Sequence, residues 1–97
     1  MAVVTKAISA QNTFSDATRC RGFFNFSVWG TFVATVTVQR SFDGGSTWLD
    51  VDTFTAPTEE VGIEGEIAEY RAGVKTGDYT SGTVNVRIGE NDLTLPF

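Results

Sequence analysis

Asp50 and Asp52 stand two positions apart in Leu49-Asp50-Val51-Asp52-Thr53, so in an extended chain both carboxylates leave the same side, about 7 Å apart. Two carboxylates so placed are the minimum equipment for glycosidic-bond chemistry, one as acid and the other as nucleophile or base. Together with Asp43, Glu59, Glu60, Glu64 and Glu66 they also offer the oxygens that calcium accepts. Each reading lacks a second requirement. No cleft-forming loops flank the pair, and the D-x-[DN]-x-[DN]-G spacing of a calcium loop is missing. A solvent-facing strand edge explains the aspartates better. The chain has no histidine, which removes the histidine-based relays and imidazole zinc sites. Its single cysteine, Cys20, can neither close an intramolecular disulfide nor build a thiolate metal site. These residues predict no enzyme, no metal and no cofactor.

Aromatic side chains are the other candidates. Phe23, Trp29 and Tyr79 could stack on a sugar, although aromatic residues at strand spacing more commonly serve a core or an interface. In Ser41-Phe42-Asp43-Gly44-Gly45-Ser46-Thr47-Trp48, Asp43 can accept hydrogen bonds from turn amides, the glycines permit positive φ, and Trp48 can pack back across a hairpin. The segment fits S-x-D-x-G-x-T-W and resembles the Asp-box of sialidases and other secreted or surface β proteins. In sialidases the motif recurs once per propeller blade, away from the catalytic centre. One copy in so short a chain implies a structural hairpin built on Ser41, Asp43, Gly45, Thr47 and Trp48, and brings no activity with it.

The elements that must position these residues follow from periodicity. Ninety-seven residues make one domain, and eight Phe, two Trp and two Tyr supply a dense apolar core. From Phe23 to Arg40 the pattern alternates with period 2, with Phe24, Phe26, Val28, Phe32, Ala34, Val36 and Val38 on the face expected to be core. Gly30-Thr31 reads as a hairpin turn within this run. After the break at Asp43-Gly44-Gly45-Ser46 comes a strand from Trp48 to Phe54, closed by Ala56-Pro57-Thr58. Glu59 to Glu66 reads as a crossing connection or a short edge strand. Tyr70 to Lys75 and Thr83 to Ile88 are expected to pair as another hairpin, Val3 to Ser9 to form a first strand, and Gln11 to Thr18 a polar connection around Phe14.

Six or seven short strands predict an all-β fold, an immunoglobulin-like or related two-sheet antiparallel β-sandwich over residues 1–90. Tyr70-Arg71-Ala72 and Thr83-Val84-Asn85-Val86-Arg87 resemble the last two strands of immunoglobulin-like and fibronectin-type domains, where the tyrosine pins a corner through its hydroxyl. Ala72 stands where an immunoglobulin domain has its second cysteine, so the resemblance implies the sandwich without the disulfide. In the tail 91–97, Leu93, Leu95 and Phe97 alternate with Thr94 and Pro96, a strip expected to dock on a neighbour.

Seven Lys and Arg against 12 Asp and Glu give a net charge of −5, which disfavours nucleic acid as a partner. No apolar run reaches the roughly 20 residues that span a bilayer, and the first residues lack a signal-peptide pattern, so synthesis in the cytoplasm and no membrane partner are expected.

Arg21-Gly22-Phe23-Phe24-Asn25, the run from Thr31 to Trp48, Tyr70 to Lys75, and Ser81-Gly82-Thr83-Val84-Asn85-Val86-Arg87-Ile88 together resemble small structural proteins of tailed bacteriophages. That resemblance implies a virion location and a non-enzymatic role as a capsid decoration, or cement, protein binding the major capsid protein or another virion protein, as a homo-oligomer such as a trimer. The alternative is a host-surface or glycan-binding module of a phage tail or head fibre. It would show exposed aromatic residues gathered with amide or carboxylate side chains at one end of the domain.

Overall fold

A computed structural model describes residues 2–90. Seven strands follow one another: β1 (Ala2–Ile8), β2 (Thr13–Phe14), β3 (Thr18–Ala34), β4 (Val36–Ser41), β5 (Leu49–Phe54), β6 (Thr58–Val74) and β7 (Tyr79–Glu90). All pairings are antiparallel. The fold is all-β, with no helix among the described residues.

Where the sequence suggested two sheets, the hydrogen-bonded ladder is continuous, in the order β1-β7-β3-β6-β4-β5 with β2 attached to β6. Two 17-residue strands, β3 and β6, make this possible. β3 pairs with β6 through residues 18–28 and with β7 through residues 24–34. β6 pairs with β3 through residues 58–70 and with β4 only through residues 69–73.

Period-2 alternation decides which face goes inside. Phe24, Phe26, Val28, Ala34, Val36 and Val38 are buried, as the even-numbered expectation required. Val84, Val86 and Ile88 of β7 and Ala68, Tyr70, Ala72 and Val74 of β6 join them. Ile8 of β1 and Phe54 of β5, the two ends of the strand order among the described residues, belong to the same cluster, so the buried face runs the whole width of the sheet. Phe24, Phe26 and Tyr70 form its aromatic centre, with ring centroids 4.9 to 6.0 Å apart. Each fully buried Val or Ile contributes about 1.5 to 3 kcal/mol of transfer free energy before ordering is counted.

Three local expectations are corrected. Gly30-Thr31 is not a turn: Gly30 pairs with Val84 and Thr31 with Thr83 in an unbroken ladder. The glycine has φ +119°, and a Cβ there would stand 2.5 Å from the Thr83 carbonyl oxygen, so it marks a close approach of two backbones. Secondly, β6 and β7 do not form a hairpin, because β3 lies between them. Their short connection is held at the β3–β4 bend by the amide of Thr35, which donates to the Asp78 carbonyl. Alternation identifies strands but carries no record of which strands pair. Finally, Glu59 to Glu66 is neither a crossing connection nor a short strand but part of the long β6. It is an edge all the same, since among the described residues β3 is the only strand beside residues 58–68. The tail carrying Leu93, Leu95 and Phe97 lies outside the described residues.

Candidate functional site

The turn between β4 and β5 is a closed hydrogen-bond cage. Ser41 Oγ donates to Asp43 Oδ1 at 2.6 Å and accepts from the amides of Gly45 at 2.9 Å and Asp43 at 3.3 Å. The Thr47 amide donates to the same Asp43 oxygen at 2.8 Å. Gly44 and Gly45 have φ of +76° and +100°, which lets the turn close. The Ser41 hydroxyl and the Thr47 amide hold the Asp43 carboxyl down at about 2. Every acceptor position that these contacts use faces the turn itself, so the five residues of the motif brace a hairpin.

Trp48 leaves this turn and packs against Gly45 and Arg71. The Arg71 guanidinium lies between two rings, 4.3 Å from the Trp48 centroid and 4.1 Å from that of Phe14 on β2. Its Nε donates to Gln39 Oε1 at 2.9 Å, and Gln39 Nε2 donates to Asp50 Oδ1 at 2.9 Å. Lys75 Nζ completes the chain on Asp50 Oδ2 at 2.8 Å. This relay ties β2, β4, β5 and β6 together across the outer face. Phe14 has a structural part that the polar sequence around it did not signal.

The relay also decides what the aspartate pair can do. Lys75 and Gln39 hold the Asp50 carboxyl below its ordinary value, the opposite of what a proton-donating carboxyl at neutral pH needs. Asp52 turns back to accept from the amide of Thr53 at 2.8 Å. Among the described residues, no three His, Cys, Asp or Glu side chains gather closely enough to hold a metal ion.

Glu64, one of the candidate calcium ligands, instead lies on the inner face. It accepts from the Tyr70 hydroxyl at 2.6 Å and from Arg40 Nη1 at 3.0 Å. Burial raises its carboxyl, but these two donors outweigh it and the net shift is downward. The Tyr70 hydroxyl thus pins a side chain six residues earlier in its own strand. Cys20 is fully buried in the core; burial and the nearby Glu90, Glu64 and Glu69 raise its thiol from 9.0 to about 12.

No protein family, curated protein or solved structure matches the chain.

The three proposed sugar-stacking residues are not gathered into one platform. Phe23 and Trp29 share the outer side of β3 but lie six residues apart, about 20 Å along a strand. The Tyr79 hydroxyl donates to the Gly82 carbonyl at 2.9 Å within its own strand.

What the outer face does present is apolar. Val3, Phe23, Val61 and Ile63 line a groove of about 470 Å3, with Gly89 and Asn25 among its other walls. Val61 is 88% exposed and Ile63 68%. Cross-strand register explains the depression, because Val3, Gly89, Asn25 and Val61 form one row across four strands and the glycine contributes no side chain. A Cβ on Gly89 would meet Arg87 and Asn25, each at 2.9 Å. Far along the sheet, β5 pairs only with β4 among the described strands and exposes Leu49 and Val51. The strand edge at Asp50 and Asp52 was read from the sequence but the groove was not, although Val61 and Ile63 alternating with acidic residues and glycines in a presumed connection were the legible sign.

Proposed function

We propose that this protein is a non-enzymatic structural subunit that docks on a preformed protein shell, as a capsid decoration protein of a tailed bacteriophage docks on the major capsid protein. The observation that carries the reading is the open β5 edge with Leu49 and Val51 exposed, beside carboxylates already engaged in bracing the fold. Edge strands that offer unpaired backbone groups and aliphatic side chains are natural templates for a second chain. A decoration subunit needs contact area rather than chemistry, and many copies on a symmetric shell turn weak single contacts into firm retention. The acidic surface suits a protein that stays soluble until it meets the shell. The resemblance of the sequence to small phage virion proteins is the reason for proposing a phage capsid as that shell.

Cosedimentation with purified heads of the encoding phage tests the reading. The intact chain should pellet with heads up to a saturating ratio, and Val51→Lys should bind at least about tenfold more weakly. Failure to pellet, or specific capture by a glycan array instead, overturns it.

A further inference from the structure

We propose that the groove over Gly89 receives residues 91–97 from a second copy of this chain, two copies exchanging these segments reciprocally. Glu90, the last described residue, itself lines the groove, so the segment starts at its rim. Seven extended residues span up to about 23 Å. Leu93, Leu95 and Phe97 would present three large apolar groups on one side, over about 13 Å from first to last. The row from Val3 to Val61 crosses three strand spacings, about 14 Å. Lengths and chemistry therefore match.

Position favours the second copy over the chain's own tail. A strand laid across a sheet face rides about 10 Å above it, whereas residues 91 and 92 together cover only about 7 Å. In its own groove the segment would spend both residues climbing, and Leu93 would fall outside. From a copy facing groove to groove, the segment arrives at that height and all three apolar side chains enter. Such a contact is isologous and closes as a dimer. Arg87, whose Nη1 donates to Asn25 Oδ1 at 2.8 Å, is the cation among the residues lining the groove. Pro96 lacks an amide donor, which suits a segment resting on side chains better than one extending the sheet. The proposal stands whether or not the protein also docks on a shell.

Sedimentation velocity of the full chain, of a chain ending at residue 90, and of Ile63→Lys tests it. Ile63 is exposed, so the lysine leaves the core intact. The full chain should dimerise, the truncated chain should be a monomer with unchanged melting temperature, and Ile63→Lys should weaken dimerisation at least about tenfold. In a mixture of isotopically light and heavy full-length chains, cross-links from residues 91–97 to the groove should join light to heavy. A dimer that survives both changes, a full chain that stays monomeric, or cross-links only within single chains overturns the proposal.

Discussion

The hydroxyl of Tyr70 donates a 2.6 Å hydrogen bond to the carboxylate of Glu64, two groups that share the inner face of β6 and that Arg40 joins from β4. A carboxylate on a core face is tolerated only while its charge is met; Tyr70 donates from within the buried cluster, and Arg40 reaches in from a half-exposed position over the Phe42 ring. Tyr70→Phe keeps the ring against Phe24 and Phe26 and removes one donor. A hydrogen bond to a charged group is worth about 1.5 to 3 kcal/mol, so urea unfolding should show a loss in that range. An unchanged midpoint would mean that Arg40 alone satisfies the carboxylate.

Alkaline pH should weaken the fold through two groups. The Cys20 thiol is raised from 9.0 and the Tyr70 hydroxyl from 10.0, each to about 12, in both cases chiefly by burial. Because the folded values lie above the unfolded ones, the stabilisation is complete below the unfolded values and is lost as pH rises from 9 toward 12. Denaturation midpoints measured from pH 8 to 11 should therefore fall, and Cys20→Ala should flatten the first part of the decline. The native thiol should also resist alkylation at pH 8 until the chain is unfolded.

Asp43 works in the opposite direction. Its carboxyl is lowered from 3.8 to about 2, so its contribution is present above the unfolded value and disappears as pH falls through that interval. Asp43→Ala should lower the melting temperature at neutral pH, speed hydrogen exchange at the Thr47 amide, and show a smaller loss of stability between pH 4 and pH 2 than the parent. Docking should be kept. Lost docking with unchanged stability would make the hairpin a binding site.

Gly30→Ala tests the continuity of β3. The new Cβ would press on the Thr83 carbonyl at 2.5 Å in a backbone with φ +119°, and a loss of more than about 1 kcal/mol is expected. A neutral result would contradict the close approach of the β3 and β7 backbones at this position.

These cases mark how far the sequence could be read. The even-numbered face of Phe24, Phe26, Val28, Val36 and Val38 was legible because burial on one side imposes a period of two. The turn from Ser41 to Trp48 was legible because its residue types each have a local task. Gly30 misled because a glycine that ends a strand and one that admits a neighbouring backbone look alike in one dimension. The partners of β6 and β7 depend on the long ladders of β3, which no local pattern encodes. Arg71 between Phe14 and Trp48 joins residues far apart in the chain, and Val61 and Ile63 line a groove whose other walls, Gly89 and Val3, come from strands on the far side of β3.

Quantitative mass spectrometry of purified virions from the genome that carries this sequence, should that genome be a phage's as proposed, combined with a density map of their surface, tests the proposed docking role most directly. A decoration subunit predicts this chain in a fixed ratio to the major capsid protein, with density for the sheet on the outer shell and β5 against it. Particles that lack the chain, or that carry it only at a fibre tip, would contradict the account.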